Sequence, residues 1–204
     1  MKIYEYNGFP NPRRVRIFLA EKGITGIDFE QINVPEGEHR NESFLAKNPY
    51  AGVPILELDD GTCISETVAI SRYFEELHPE PKLMGETPEE KARIEMWQRR
   101  VEGSIFEKVA TYYHQGTEGF GEHEPYQYKD WGKKNRDLAI DGMKKLDRHL
   151  QGKEFIAGDK FSIADITALC AVDYAGFVDI AVPDGLTNLK RWYQAVSNRP
   201  SAAA

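Results

Sequence analysis

The stretch AGVPILELDDGTCISETVAISRYF, residues 51–74, combines a proline, two strand signals and the start of a helix. VPILEL predicts a strand, which the turn DDG joins to a shorter strand, TCI. A helix is predicted directly afterwards, because apolar residues recur at helical spacing at Val68, Ile70, Phe74 and Leu77. Pro79 ends that helix. The segment therefore predicts two short paired strands that lead into a helix.

The preceding residues also alternate between strand and helix signals. KIYEY, residues 2–6, predicts a strand, and NGFPNPRRVRIFLAEKG, residues 7–23, predicts a helix. IDFEQINV, residues 27–34, predicts a second strand, and SFLAKNP, residues 43–49, a helical turn. We therefore expect an α/β domain over residues 1–78.

The second half of the chain has no strand signal of comparable strength. PEPKLMGETP precedes it, and we interpret residues 79–87 as a linker. Thr87 and Glu90 form a T-x-x-E capping box around Pro88, which predicts the start of a long helix. Ser162 and Asp165 predict a second capping box. Residues 88–204 are therefore expected to form an all-helical domain.

Composition limits the function. The chain has 204 residues, 41% hydrophobic and 29% charged, with a net charge of -7. Its Lys and Arg residues are dispersed, so we expect no nucleic-acid partner. It contains no apolar run that could span a membrane, and Cys63 and Cys170 form no CxxC pair, so we expect no membrane association, metal site or dithiol centre, and a cytoplasmic location. Folding requires no cofactor.

Asn11 lies between two prolines at the start of the first predicted helix. One interpretation is an N-cap, because an asparagine oxygen accepts a free N–H at a helix start and Pro12 suits the first helical position. The other is an anion site, because a helix N-terminus presents free donors and partial positive charge. Arg13, Arg14 and Arg16 add positive charge nearby.

The segment SETVAI raises the same two possibilities at the start of the later helix. It can act as a capping arrangement, or as a site in which Thr67 and backbone N–H groups bind a carboxylate while Glu66 binds an ammonium group. Together those groups suit the head of an α-amino acid. Spacing leaves open whether Pro54 occupies an edge strand or follows a cis bond.

NPRRVRIFLAEKG, FLAKNPYAGVPILELDDGTCISETVAI and FSIADI occur in this order and spacing, and over essentially the whole chain the sequence resembles the cytosolic glutathione transferase family. The resemblance implies a thioredoxin-like N-terminal domain, an all-helical C-terminal domain and a homodimer in which the helix that begins at Pro88 forms the contact. Glutathione is then a co-substrate, and no other cofactor is implied.

The resemblance also implies roles for individual residues. Pro54 is expected to follow a cis bond, and the backbone of Val53 to bind the cysteinyl part of glutathione. Glu66 and Thr67 correspond to the pair that holds the γ-glutamyl head, and His39 falls near a position that reaches the glycyl end. Ser162 and Asp165 correspond to a structural capping box.

The thiol-activating position departs from the common pattern. Phe9 stands where the serine-type branch has its hydroxyl, and no Ser, Thr or Cys lies between Tyr6 and the helix. Asn11 resembles the asparagine of bacterial branches, so we expect it to cap the helix and also to stabilise the thiolate, with one of these roles carried by its backbone N–H.

Three functions are compatible with these features. The first is a transferase in which the glutathione thiolate attacks a hydrophobic electrophile, with Tyr112 and Tyr113 as acceptor-site candidates. The second is glutathione-dependent disulfide reduction, and the third is a weakly catalytic glutathione-binding module. The missing hydroxyl favours both alternatives.

Overall fold

The computed structural model describes residues 1–204, apart from the side chain of Glu122. Contacts within the chain divide it into two units. The first comprises Met1–Lys82 and the last two residues, and the second comprises Leu83–Ala202. The division falls within the segment 79–87 that separates the two kinds of sequence pattern.

The first unit is a mixed sheet with helices. Its elements are β1 (Lys2–Glu5), α1 (Pro10–Glu21), β2 (Asp28–Gln31), α2 (Glu42–Leu45), β3 (Ile55–Glu57), β4 (Cys63–Ser65) and α3 (Thr67–Leu77). The strand order is β2-β1-β3-β4. β1 pairs with β2 in parallel and with β3 antiparallel, and β4 pairs antiparallel with β3. This arrangement confirms the predicted thioredoxin-like fold.

Buried apolar side chains of the strands and of α1 and α3 form the core of this unit. Ile3 and Leu56 are opposite each other in the register of β1 and β3, and both are fully buried. Phe18 of α1 and Phe74 of α3 are also fully buried, and the two helices pack against each other. Burial of these large apolar side chains stabilises the unit, since each contributes about 1.5–3 kcal/mol.

A buried ion pair joins the far end of α1 to α3. The side chain of Lys22 is 0% exposed, and its Nζ lies 2.5 Å from Oε2 of Glu75. The same ammonium group donates to the carbonyl oxygens of His78, at 2.7 Å, and Pro81, at 2.6 Å. Lys22 therefore extends the buried face of α1 by one residue, as a charged group with three acceptors.

The second unit is helical. Its helices are α4 (Pro88–Val101), α5 (Glu107–Gly116), α6 (Lys129–His149), α7 (Ile163–Phe177) and α8 (Thr187–Ser197). Both predicted capping boxes are confirmed, one at Thr87 and Glu90 and the other at Ser162 and Asp165. This unit confirms the predicted all-helical half.

Asp165 is a buried carboxylate with four hydrogen-bond donors around it. Its buried carboxylate accepts hydrogen bonds from Ile156 N–H at 3.0 Å, from the Ser162 backbone and hydroxyl, and from Trp192 Nε1 at 2.9 Å. Burial raises the pKa of Asp165 to about 6, although these hydrogen bonds oppose the shift. The side chain therefore joins the start of α7 to α8.

A π-helical turn, Glu102–Phe106, connects α4 to α5. Gly142 of α6 lies against it, since a Cβ at this glycine would be 2.3 Å from the carbonyl oxygen of Ser104. Further along, a Cβ at Gly132 would be 2.3 Å from the backbone nitrogen of Gly116. The close approach of α6 to this long helical segment thus requires glycine at both contacts. No helix among the described residues is long and apolar enough to cross a membrane.

Candidate functional site

Strand register places the candidate residues of the first unit at one end of its sheet. Ile55 pairs with Tyr4 of β1 and with Ser65 of β4, so Pro54 precedes β3 at the end where β1 and β4 finish. Glu66 follows β4 directly, and the turn to α1 follows β1. The register therefore brings Val53, Pro54, Glu66, Thr67 and the start of α1 to the same edge.

The loop before β3 is ordered by a buried asparagine. The Val53–Pro54 peptide bond is cis, as the resemblance implied. Asn48 is 3% exposed, donates from Nδ2 to the carbonyl oxygen of Gly52 at 2.9 Å and accepts from the Tyr50 N–H at 3.1 Å. Val53 is half-buried. Asn48 thus fixes the chain immediately before the Val53 backbone, which leaves it positioned at the edge of the sheet.

The start of α3 is suited to an anion. Glu66 is its N-cap residue with φ of 71°, an uncommon conformation for glutamate, and no side-chain hydrogen bond caps the helix. The Glu66 side chain is exposed, whereas Thr67 is 7% exposed. The first N–H groups of a helix have no intrahelical acceptor, so they are available to a bound carboxylate beside the Glu66 carboxylate.

The prediction that Asn11 caps α1 is wrong. The helix begins two residues earlier than predicted, at Pro10, and its N-cap residue is Phe9, with φ of -73° and ψ of 145°. Proline fits the first helical turn because its fixed φ is helical and it has no N–H to leave unpaired. Both Pro10 and Pro12 are therefore accommodated in that turn, and Asn11 lies between them inside the helix.

Asn11 instead presents donors at the helix start. Its Oδ1 accepts a hydrogen bond from Nη1 of the buried Arg14 at 3.2 Å. A guanidinium group can only donate, so the carboxamide oxygen faces Arg14 and the Nδ2 group points away from it. Because Pro10 and Pro12 have no N–H, Asn11 also supplies the single backbone donor of the first three helical residues. α1, like α3, has no side-chain cap.

His39 lies in a 3-10 turn, Glu38–Arg40, between β2 and α2. Its side chain is 9% exposed. The strand register does not determine its distance from the other candidates, so its role at a glycyl group stays a prediction.

The helical unit contains an aromatic cluster around Tyr113. The ring centroid of Tyr113 lies 5.5 Å from Phe120, 6.0 Å from Tyr174 and 6.2 Å from Phe177. Burial raises the pKa of the Tyr113 hydroxyl, which donates to the carbonyl oxygen of Gly119 at 3.3 Å. Phe177 is 74% exposed despite these contacts. Tyr113 therefore belongs to an aromatic surface, whereas Tyr112 is half-buried against Gly116.

Two residues that shape the first unit's site, Asn48 and Arg14, had no individual role assigned to them from the sequence. Asn48 precedes a proline, a turn signal that is common in loops, and Arg14 is one of three arginines that appeared equivalent in sequence. Among the described residues, no group of three or more His, Cys, Asp or Glu side chains is arranged to hold a metal ion.

Comparison with known proteins gives one consistent result. Residues 3–82 match the model of the glutathione S-transferase N-terminal domain, and residues 125–200 match that of the C-terminal domain. Glutathione S-transferase 2 of Saccharomyces cerevisiae is 44% identical over 203 residues, which is 98% of this chain and 87% of that protein.

Solved structures agree over the full length. The crystal structure of Gtt2 from Saccharomyces cerevisiae is 43% identical and has a TM-score of 0.97, covering 100% of this chain and 99% of that one. A glutathione S-transferase domain-containing protein of Marinobacter aquaeolei VT8 is 45% identical with a TM-score of 0.96, covering 98% of this chain and 99% of that one.

Proposed function

This chain belongs to the glutathione S-transferase family and is a glutathione S-transferase, and we propose that it ionises the glutathione thiol at the start of α1 for attack on an electrophilic small molecule. The observation that carries this proposal is the strand register, because it gathers two uncapped helix starts and the Val53–Pro54 segment at one sheet edge. A peptide with a carboxylate at one end and a thiol further along suits that arrangement.

The γ-glutamyl head of glutathione is assigned to the start of α3. Its α-carboxylate accepts hydrogen bonds from the first N–H groups of the helix and the Thr67 hydroxyl, and its ammonium group pairs with the exposed Glu66 carboxylate. The positive φ of Glu66 supports this assignment, since backbone strain is often retained at binding sites. The Val53 backbone then pairs with the cysteinyl residue, and His39 serves the glycyl end.

The thiol is assigned to the start of α1. A cysteine thiol has a pKa of about 8.5, so only a few per cent is ionised at neutral pH, and each unit of depression corresponds to about 1.4 kcal/mol. The Asn11 N–H and the Asn11 Nδ2 group supply two donors, and the helix dipole adds partial positive charge. Asn11 is thus the residue proposed to stabilise the thiolate.

The thiolate then attacks an electrophilic carbon and forms a carbon–sulfur bond. The bond between that carbon and its leaving group breaks, and the leaving group departs with the electron pair. We assign the acceptor to the helical unit, where the Tyr113 cluster offers an exposed aromatic surface for an apolar molecule.

Two substitutions at the same residue separate the roles of Asn11. Asn11→Ala removes the carboxamide and keeps the N–H, whereas Asn11→Pro removes both and is compatible with the first helical turn. The ultraviolet absorbance of the bound thiolate, titrated against pH, reports the thiol pKa. We expect a depressed pKa in the parent, a rise in Asn11→Ala and a larger rise in Asn11→Pro. Glutathione affinity should change little at a pH below the parent's bound thiol pKa, where the thiol is protonated. A parent pKa equal to that of free glutathione would refute the activating role.

Glutathione-dependent disulfide reduction is the second candidate, and the absence of a hydroxyl or thiol in residues 9–12 favours it. In that reaction the thiolate attacks one sulfur of the disulfide, a mixed disulfide forms and the other sulfur leaves as a thiolate. A second glutathione then attacks the glutathione sulfur of the mixed disulfide, which gives glutathione disulfide and releases the second reduced thiol. Parallel turnover assays with an aryl halide and a small symmetrical disulfide distinguish the two. Binding without turnover of either substrate would support a binding module instead.

We further propose that the enzyme acts in the cytoplasm as a homodimer. Met96 on α4 is partly exposed, at 39%, and offers an apolar contact on the helix expected to face the second subunit. Light scattering of the purified chain and of Met96→Glu tests this assignment, since a monomeric parent would contradict it.

A further inference from the structure

A buried carboxylate connects α1 to the turn that precedes it. Glu5, the last residue of β1, is 0% exposed. Arg16 of α1 binds it through Nε, at 3.0 and 2.9 Å from the two carboxylate oxygens, and through Nη2 at 2.5 Å. The Arg16 guanidinium also lies over the Phe29 ring, 3.9 Å from its centroid. Arg16 is therefore fixed by two contacts and does not serve as a free surface charge.

The same carboxylate reaches the β1–α1 turn through a glutamine. Gln31 is the register partner of Glu5 in β2, and its Nε2 donates to Oε1 of Glu5 at 2.9 Å. Its Oε1 accepts from the Asn7 N–H at 2.8 Å. The turn is completed locally, because the Phe9 N–H donates to the Tyr6 carbonyl oxygen at 3.2 Å and the rings of these two residues meet edge to face at 4.5 Å.

These hydrogen bonds form a closed network, the circuit, whose members are Glu5, Asn7, Arg16 and Gln31. The segment from Asn7 to Arg16 is held at its first end by Gln31 and at its last end by Glu5, and Gln31 and Glu5 bind each other. Asn11 lies in the middle of this segment. The circuit therefore restricts how far the start of α1 can move relative to the sheet edge.

Stability alone does not require such a circuit. A buried ion pair can often be replaced by apolar residues of similar volume with no loss of stability, because desolvation offsets the attraction between the charges. These hydrogen bonds do constrain the local geometry, because the bidentate Glu5–Arg16 pair and the Gln31 carboxamide fix the orientation of the groups they join as well as the distance between them.

We infer that Glu5, Arg16 and Gln31 are positioning residues that hold the Asn11 donors in register with the glutathione sulfur. The inference rests on the proposed function, because it assigns the circuit to thiolate formation. It predicts that loosening the turn weakens thiolate stabilisation while the γ-glutamyl site at α3 keeps its affinity.

Gln31→Ala tests this inference, and Glu30→Ala is the matched control. Both residues are exposed residues of β2 that link it to β1 through one side chain, but Glu30 pairs with Lys2 at 2.6 Å and does not contact the circuit. Gln31→Ala removes a part-buried hydrogen bond to the buried Glu5 carboxylate, whereas Glu30→Ala removes an exposed ion pair, so Gln31→Ala should lower the melting temperature more. Both variants are therefore compared at a temperature well below either melting temperature. We expect Gln31→Ala to raise the bound thiol pKa by about one unit, which is tenfold in thiolate fraction well below the pKa. With glutathione saturating, the pH profile of kcat/KM for the electrophile should shift by the same amount. Glutathione affinity should stay unchanged at a pH below the parent's bound thiol pKa, where the thiol is protonated, and Glu30→Ala should shift neither quantity.

The outcomes are distinguishable. A depressed parent pKa that Gln31→Ala leaves unchanged, or that Glu30→Ala raises equally, would overturn the positioning role and leave the proposed function intact. A parent whose bound glutathione ionises like the free thiol would overturn both.

Discussion

Replacing Lys22 by methionine is expected to destabilise the protein by about 3–5 kcal/mol, the cost of removing one partner of a buried ion pair. The structure supports a value in this range, because the Lys22 side chain is 0% exposed and Glu75 only 7% exposed. Methionine fills a similar length but leaves the Glu75 carboxylate without this ammonium and two carbonyl oxygens without their donor. For a chain of this size the loss corresponds to about 6–20 °C in melting temperature.

Urea unfolding followed by circular dichroism measures this loss, with calorimetry as a second method. The double variant Lys22→Met with Glu75→Leu should recover much of the stability, because no isolated charge then stays buried. A loss below about 1 kcal/mol in Lys22→Met, the range of an exposed ion pair, would refute the reasoning. So would a double variant that is less stable than either single variant.

Three further predictions concern the binding site, the capping box and the helix contacts. Glu66→Ala should weaken glutathione binding, measured by calorimetric titration, about 10- to 150-fold, the value of a charge-assisted hydrogen bond, without changing the bound thiol pKa. Glu76→Ala, on the exposed face of α3, should change neither the affinity nor the pKa. The pKa of Asp165 is raised in the folded state from 3.8 to about 6, so its contribution to stability is present below about pH 4 and is lost as the pH rises through 6. The free energy of unfolding of the parent should therefore fall by about 3 kcal/mol across that interval. A fall of equal size in Asp165→Asn would contradict this assignment. Gly142→Ala should destabilise the protein by about 1–3 kcal/mol or more, because its Cβ would lie 2.3 Å from a carbonyl oxygen. Gly176→Ala, whose Cβ would have no atom within 4 Å, should instead stabilise it by about 0.5–1 kcal/mol. Thermal denaturation of both variants decides whether the contact or helix propensity dominates.

Local signals predicted the elements of the fold well. The capping boxes at Thr87 and Ser162 involve residues three positions apart, so the sequence contains the whole interaction. The ion pair at the end of α1 was not predicted, because the sequence around Lys22 gives no information about the Glu75 carboxylate that pairs with it.

The start of α1 could not be predicted from propensity alone. Asn11-Pro12 matches an N-cap followed by the first helical residue. Phe9-Pro10 matches a helix start two residues earlier equally well, provided that Asn11 is tolerated inside the helix. Contacts with Tyr6, which favour the earlier start, depend on the shape of the turn. The error matters, because it converts Asn11 from a capping acceptor into a pair of donors.

The circuit around Glu5 depended on strand register. Alternation in KIYEY places Glu5 on the same face as the buried Ile3, which signals a buried charge. Its partners were not accessible, because Gln31 becomes a neighbour only through the parallel pairing of β1 with β2. The conformation of Glu66 was similarly invisible, since glutamate has no preference for positive φ.

The π-helical turn at Glu102–Phe106 changes which residues share a face of the helical segment from α4 to α5. A wider turn accommodates about one additional residue, and one residue of an α-helix corresponds to about 100° of rotation. Tyr113 and its neighbours consequently face a direction that a helical wheel drawn from Pro88 would assign to a different residue. Deleting one residue within the turn, for example Gly103, would restore a regular helix and rotate Tyr113 with the rest of α5 relative to α4, which no single substitution can do. A change of length at this point would therefore redirect the surface of α5 while keeping every aromatic residue.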